Sequence, residues 1–466
     1  MSRPLTARLL TLLTAVPVAA ALVAVTLPSS PPEATQRDAT RPVAARATAN
    51  PVTPGNFRGY GFDQCLAPSQ SAMNTWLNHS PFLAVGIYIS GDSRACRNQP
   101  NLTPKWISTQ LRKGWRLLPI TLGPQASCQP RFPRYADDFK INPKPGRYNR
   151  YSVAKRQGTT EGGRSVDAAK ALGIAPGSTL WYDLEGFNHS DTHCRESALS
   201  FVSGWTARVR ELGYKAGVYS SVGSGIKMLD DARVKRPGRF ALPDAIWMAR
   251  WDGVANTSSS YIREDGWRPG GRVKQYMGGH DETWGGVRIN IDRNFLEMGR
   301  GSVTTPEKRC GGVRIGFSSY NALRQPTAAG RRSPADQVKA LQCLLQEKGL
   351  YTGQLGGSFN SKLLAAAQES QRRTGFPVRN VWSRKNWVTL FAAGERPALK
   401  FGSAGPNVRR VQRALNATYS NLGLRSAGSF DLATHNAVRA WQQDAGIPVS
   451  GVMNPASWAA LALAKR

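Results

Sequence analysis

Acidic residues are scarce in this chain: 30 Asp plus Glu stand against 62 Lys plus Arg in 466 residues, a formal charge of +32 with a pI near 10.6. That imbalance points to a polyanionic partner, whether nucleic acid, an anionic membrane or a cell-wall polymer. Long apolar runs are scarce too. Apart from one near the N-terminus there is none, and the mean hydropathy of −0.39 excludes a polytopic membrane protein. Histidines number five, and none of the six cysteines forms a C-x-x-C pair, which excludes a zinc ribbon or a thioredoxin-type site. His189, His193 and Cys194 have no fourth partner at ligand spacing, so neither a metal nor another cofactor is expected. What is present is a large core. A hydrophobic fraction of 41% with 13 Trp excludes a disordered or fibrous chain, and the length suggests two to four domains at roughly 100 to 200 residues each.

The first 50 residues read as an export segment. Arg3 and Arg8 precede an apolar run from Leu9 to Leu27, broken by Pro17 and followed by a stretch rich in Pro, Ser, Thr and Ala. A short positive end followed by such a run is the pattern of a secretory signal, long enough to serve as an uncleaved membrane anchor. Either case predicts a secreted or cell-wall-associated protein. Cys65, Cys96, Cys128, Cys194, Cys310 and Cys343 suit an oxidising compartment, and their even number permits three disulfides whose connectivity stays open. Export also sets nucleic acid aside as the partner of the positive charge, leaving peptidoglycan and anionic wall polymers. Oligomeric state is not legible.

Between Gly59 and Glu297 lie eight short β-rich runs: Gly59–Cys65, Ala84–Ser90, Trp115–Leu122, Thr179–Glu185, Lys215–Ser220, Ala245–Trp251, Arg272–Met277 and Arg288–Asn294. Several are nearly continuous in apolar residues, as strands buried on both faces are. Stretches such as Ser69–Asn78, Pro104–Lys113, Ser165–Leu172 and Cys194–Leu212 carry helical spacing. Eight alternating units over about 240 residues predict an α/β fold of the TIM-type (β/α)8 class, spanning residues 55–303. The interval from Gly123 to Gly163 is too long for an ordinary connection and predicts a functional loop over the barrel mouth.

Chemistry in such a barrel sits at the C-terminal ends of the strands. Strand one ends in Gly61-Phe62-Asp63, strand four in Asp183-Leu184-Glu185, and strand eight in Asn290-Ile291-Asp292. Asp183 and Glu185, two residues apart, fall on one face about 6.6 Å apart along a strand. Paired carboxylates of this kind serve glycoside hydrolysis, one held protonated and the other ionised. Taken singly, Asp63, Asp183 and Asp292 read as caps or as ion-pair partners of Arg250 and Lys274. Their convergence from three strand ends favours a site.

The stretch 57–300 resembles the actinobacterial glycoside-hydrolase-like barrel family, related to the lysozymes of glycoside hydrolase family 25. The resemblance is carried by Gly61-Phe62-Asp63-Gln64-Cys65-Leu66-Ala67-Pro68, Ala84 to Ile89, Gly114 to Pro119, Trp181 to Glu185, Trp247 to Trp251, Gln275-Tyr276 and Ile291 to Phe295. It implies that Glu185 is the general acid/base. Asp183 would orient the substrate's 2-acetamido group, which attacks in place of an enzyme nucleophile, and Asp63 and Asp292 would support them. Tyr88, Tyr219, Arg250, Trp251, Gln275 and Tyr276 would line the sugar subsites.

The last third repeats itself. Gly357-Ser358-Phe359-Asn360 returns as Gly428-Ser429-Phe430-Asp431, 71 positions on, and the same shift relates Gln371 to Gln442, Gly375 to Gly446 and Trp387 to Trp458. After a linker at 304–333, the copies at 334–394 and 397–466 each predict a small all-α three-helix domain. Their pattern V-x-x-[LV]-Q-x-x-L, G-x-F, F/W-Q and G-x-x-x-x-W resembles the peptidoglycan-binding domain attached to bacterial wall hydrolases. The first copy departs from it, with Ser370 where Trp441 stands and Asn380 in place of Gly451. Together these parts predict a secreted muramidase-like hydrolase of peptidoglycan. The alternatives are a barrel that binds glycan or serves structure without turnover, and, more remotely, a basic surface protein for nucleic acid or anionic lipid.

Overall fold

A computed structural model describes residues 49–129 and 139–465. The export segment expected at 1–50 therefore lies almost wholly outside the described residues, as does part of the interval from Gly123 to Gly163. Among the described residues no helix is long and apolar enough to cross a membrane.

Eight strands close a barrel in sequence order: β1 (Phe57–Asp63), β2 (Ala84–Ser90), β3 (Arg116–Thr121), β4 (Thr179–Asp183), β5 (Lys215–Ser221), β6 (Ala245–Ala249), β7 (Gly271–Trp284) and β8 (Val287–Met298). Helices α1 (Gln70–His79), α2 (Pro104–Arg112), α3 (Ser152–Ala171), α4 (Thr192–Glu211) and α5 (Lys227–Lys235) follow β1 to β5 and cover their outer faces. Local chemistry starts several of them. Ser69, Thr103 and Asp191 cap α1, α2 and α4 by accepting backbone N–H bonds, which satisfies donors a helix leaves open.

The closure differs from eight repeated β/α units in two respects: β6 runs on to β7 with no helix between them, and the last strand is reversed. Strands β1 to β7 run parallel, but β8 is antiparallel to both β7 and β1, and β7 and β8 form a hairpin around Gly285 and Gly286. Only the two-residue turn between the strands allows this, because a parallel return needs a crossover of a dozen residues or more. The consequence is local: β8 enters the barrel from the mouth, so its early residues face the site.

The 123–163 interval also differs from the expected loop, because α3 begins at Ser152. The end of α3 falls in the expected helical stretch Ser165–Leu172, but Gly158 and Gly162 hide the earlier part from a propensity reading, glycine being about 1 kcal/mol worse than alanine in a helix. Their role is close approach to α4. A Cβ on Gly158 would stand 2.0 Å from the Phe201 carbonyl oxygen, and one on Gly204 would stand 2.1 Å from that of Lys155. Three disulfides join Cys65 to Cys96, Cys128 to Cys194 and Cys310 to Cys343. The second ties the start of the insertion to the first turn of α4, so Cys194 is not a metal ligand, and His193 contacts the Tyr151 hydroxyl at 2.9 Å.

Six helices form the C-terminal region: α6 (Ala335–Gln346), α7 (Ser361–Arg373), α8 (Arg384–Ala392), α9 (Pro406–Thr418), α10 (Leu432–Asp444) and α11 (Pro455–Ala462). The two copies share a hydrogen-bond skeleton. Gln342 accepts from the Gly357 amide and donates to the Ser358 carbonyl; Gln412 does the same with Gly428 and Ser429. Gln371 bridges Arg379 and Val381 as Gln442 bridges Ser450 and Val452. These glutamines are buried and hold turns that would otherwise leave backbone groups unpaired. The copies are less separate than two small domains, because one continuous hydrophobic core runs from Ile315 to Ala464 through both.

The second copy is docked on the barrel end opposite the mouth. Lys400 is buried there, its Nζ donating to the carbonyls of Ser80 at 2.7 Å, Phe82 at 3.2 Å and Trp76 at 3.3 Å. Phe401 packs on Tyr60 and Phe295, which are partners in register on the paired strands β1 and β8.

Candidate active site

Inside the barrel, alternation along each strand stacks side chains in layers. A lower layer holds Trp181 and Trp247, edge to face at 5.5 Å. Gly217 makes room for them, since a Cβ there would meet the Trp181 ring at 2.4 Å. Two residues beyond Trp181 and Gly217, Asp183 and Tyr219 rise above this layer beside Asp63, Tyr88 and Gln275 of β7. Asp292 arrives from the other direction on β8, in register with Asp63.

The four expected carboxylates come together. Asp63, Glu185 and Asp292 all line two adjoining depressions at the mouth, of about 240 and 370 Å³, and Asp183 lines the larger. Leu184, between Asp183 and Glu185, is fully buried on the helix side. Strand β4 ends at Asp183, and Glu185 is placed by a residue the sequence reading did not single out. Gln125, buried at the start of the insertion, donates to the Asp183 carbonyl at 2.9 Å and accepts from the Glu185 amide at 2.9 Å. The Asp183 side chain accepts from the Tyr88 hydroxyl at 3.2 Å.

Asp63 is held by a second relay. Asn294, also absent from the sequence-based set, donates to it at 2.6 Å while accepting from the Trp247 indole at 2.8 Å. Gln275 donates to both Asp63 oxygens, at 3.2 and 3.3 Å, and its own oxygen accepts from Tyr219 at 3.0 Å and Trp251 at 2.9 Å. Asn294 was legible in principle, because it lies two residues from Asp292 and so on the same face. Gln125 carried no such signal.

Burial sets the protonation of this cluster. It pushes the Asp63 carboxyl up to about 6, against the lowering effect of hydrogen bonds from Asn294 and Gln275. Asp292 is pushed up to about 8 by burial first, then by the Asp63 charge, their mutual hydrogen bond and the Glu185 charge. Two carboxylates in contact cannot both ionise cheaply, so the Asp63–Asp292 pair holds a proton at neutral pH. The cations suspected of neutralising these acids are engaged elsewhere: Lys274 and Arg250 both pair with Asp252, at 2.8 and 3.3 Å.

The expected sugar-lining residues divide. Tyr88, Tyr219, Trp251 and Gln275 line the larger depression. Trp251 is 59% exposed at its rim, its indole anchored on Gln275 and its ring accommodated by Gly278, where a Cβ would intrude to 2.5 Å. Arg250 and Tyr276 are not brought to the depression. Arg250 lies over the Tyr261 ring at 5.0 Å and Tyr276 bonds Arg293 on the outer face. The reason is alternation, because each neighbours a residue that faces the site. Arg94, which sequence did not flag, lines the smaller depression beside the Cys65–Cys96 disulfide, its Nε donating to the Gly91 carbonyl at 2.8 Å.

Residues 74–296 match the family model described as the Rv2525c-like, glycoside hydrolase-like domain, and residues 404–461, within the second copy, match that of the putative peptidoglycan binding domain. No curated protein matches. Among solved structures, the chain is similar to an uncharacterized B. stearothermophilus protein, with 18% identity, a TM-score of 0.32, and coverage of 51% of this chain and 95% of that one. It is also similar to the Mycobacterium tuberculosis Tat-secreted protein Rv2525c, solved in complex with HEPES, with 12% identity, a TM-score of 0.33, and coverage of 52% and 96%. The chain thus joins a glycoside hydrolase-like barrel to a peptidoglycan-binding domain, the composition of a cell-wall-associated protein, and its three disulfides fit an extracellular setting.

Proposed function

We propose that the barrel is a muramidase-type glycoside hydrolase acting on peptidoglycan glycan strands outside the cell membrane, with the C-terminal copies holding it to the wall. The observation that carries this reading is the convergence of Asp63, Asp183, Glu185 and Asp292 on one open groove with an exposed tryptophan at its rim. In the proposed reaction Glu185 gives its proton to the glycosidic oxygen as that bond to the anomeric carbon breaks. The oxygen of the neighbouring 2-acetamido group forms the new bond to that carbon, giving a cyclic oxazolinium ion. Asp183, fixed by Tyr88, accepts the acetamido N–H and stabilises the positive charge that develops there. Water then opens the ring, losing its proton to Glu185. The proton shared by Asp63 and Asp292 lowers the negative charge that the groove presents to a sugar.

Binding at the wall by the C-terminal copies raises the local concentration of glycan at the mouth. The test is release of new reducing ends from purified peptidoglycan by the wild type and by Glu185→Gln. A loss of about 10²- to 10⁴-fold in the variant is expected for removal of a general acid. A second reading, a barrel that binds glycan without turnover, is supported by the completeness of the hydrogen bonding around Asp63, which is how carboxylates that hold a fold look. Wall binding with no product from either protein would favour it. Equal product from both would remove Glu185 from the reaction.

A further inference from the structure

The segment 304–316 leaves the barrel and lies along the second copy. It is fixed at several points. The disulfide Cys310–Cys343 ties it to α6, Arg409 donates to the Thr305 carbonyl, Glu307 pairs with Arg413, and Arg309 pairs with Glu307 at 2.8 Å and with Glu347. Between this segment and α9 lies a cleft of about 400 Å³. Its walls carry Arg309, Arg314, Arg409 and Arg413 against a single carboxylate, Glu307, a surplus of three positive charges.

Two polar atoms in that wall have no protein partner among the described residues: Nε of Arg413, whose side chain is only 6% exposed, and Oγ of Ser426. They are neighbours. Both atoms are buried in the cleft wall, and a Cβ on Gly316 would stand 3.4 Å from Ser426 Oγ and 3.7 Å from Arg413 Nε, so the bare glycine leaves room beside both. Buried donors are nearly always paired, and one that no protein group meets calls for a ligand or water. A guanidinium N–H and a hydroxyl, with further guanidiniums on the facing wall, suit an acceptor that offers oxygens in several directions. A carboxylate presents two oxygens in one plane, whereas a phosphate presents them tetrahedrally.

We propose that the cleft between segment 304–316 and α9 binds a phosphate-class oxyanion, either free or as the phosphodiester of a polymer. The site would give the positive charge of the chain one specific use, and it stands independently of whether the barrel hydrolyses glycan.

The full chain is titrated calorimetrically, at fixed ionic strength, with inorganic phosphate and separately with a glycerol-phosphate oligomer. Saturable binding at one site is expected. Ser426→Ala and Arg413→Lys should each weaken it about tenfold, the loss of one hydrogen bond to a charged group. Arg413→Lys keeps a cation for Glu307 while removing the Nε–H. The pair Arg331→Gln and Arg332→Gln, exposed outside the cleft, should leave binding unchanged. Tighter binding of the oligomer, counted per phosphate, identifies the polymer as the source, and tighter binding of inorganic phosphate identifies the free ion. Absence of saturable binding by either probe overturns the proposal. So does binding that Ser426→Ala leaves untouched, and this variant decides the matter if Arg413→Lys fails to fold.

Discussion

The two ends of the barrel bury charge of opposite sign and treat it in opposite ways. At the mouth, Asp63, Asp183 and Asp292 crowd together, and burial lifts two of them far above the usual carboxylate range. At the far end Lys400 is wholly buried, pushed well below its ordinary value, and met by three backbone carbonyls. The cation is enclosed by the protein; the anions border an open groove. An unlike-charge partner would have stabilised the mouth more cheaply, and Lys274 is close at hand on β7, yet it faces outward to Asp252. Charge strained against itself beside a groove is the physical mark of a site. Charge enclosed by carbonyls is a fastening.

The contrast breaks most sharply at Asp183. On the proposed mechanism, Asp183→Asn should lower the rate of glycan cleavage by about 10²- to 10³-fold, the scale of losing one preorganised electrostatic contact. The thermal midpoint should hold or rise, because a buried carboxylate has been removed. A midpoint falling by several degrees with activity intact would make Asp183 a structural residue instead.

The pH dependence of stability should slope in opposite directions for the two ends. Asp63 and Asp292 have folded pKa values above their unfolded value of 3.8, so the native state binds the extra protons. Their contribution is fully present below about pH 4 and is lost as pH rises through about 6 and 8. For Lys400 the folded value lies below 10.5, the unfolded state binds the extra proton, and stability rises with pH through the alkaline range below that value. Denaturant unfolding across pH should therefore show the acid-side slope flattened by Asp292→Asn, which keeps a donor for Asp63. The alkaline slope should be flattened by Lys400→Met. Identical profiles in wild type and both variants would contradict the assignment.

Much of this architecture was legible from residues alone, for identifiable reasons. Strand β2 is read without error because both its faces are buried and its sequence is nearly continuous in apolar residues up to Ser90. Asp63, Asp183 and Glu185 converge because the C-terminal ends of parallel strands share one face, whereas Asp292 joins them from mid-strand on the antiparallel β8, in register with Asp63. The antiparallel course of β8 was hidden, since β7 runs on past Met277 through the polar stretch Gly278–Thr283 to Trp284, and only the Gly285-Gly286 turn is left between the two strands. The first part of helix α3, ahead of the legible stretch Ser165–Leu172, was hidden by glycines that serve packing against α4. Gln125 and Lys400 act across long stretches of sequence, on Glu185 and on the α1–β2 connection, and a single polar residue in a loop carries no periodicity to betray such a role.

Lys400→Met should also cost about 2 kcal/mol at neutral pH, the penalty for leaving buried carbonyl oxygens without donors. The rate at the mouth should not change, because the substitution touches the opposite end of the barrel. Equilibrium unfolding beside the cleavage assay separates the two quantities. A variant as stable as wild type would mean that Phe401 on Tyr60 and Phe295 holds the second copy in place without help from the lysine.

The smallest effect is expected at Trp251, where the comparison is subtlest because the residue belongs to both sides of it. Its indole N–H is fastened to Gln275, and through Gln275 to Asp63, while its ring lies 59% exposed at the groove rim. Trp251→Ala removes the ring and frees one lone pair of Gln275, which Tyr219 still engages. If the ring is a platform for sugar, KM should rise about tenfold with kcat nearly constant, the signature of lost binding shared by ground and transition states. If its work is to hold Gln275, kcat should fall instead and the pH profile should shift, because Asp63 loses a positioned donor. Trp251→His tests the same division from the other side. An imidazole retains a ring N–H but offers a smaller face, so rescue of kcat without rescue of KM would assign the indole nitrogen to the carboxylate relay and the ring to the substrate.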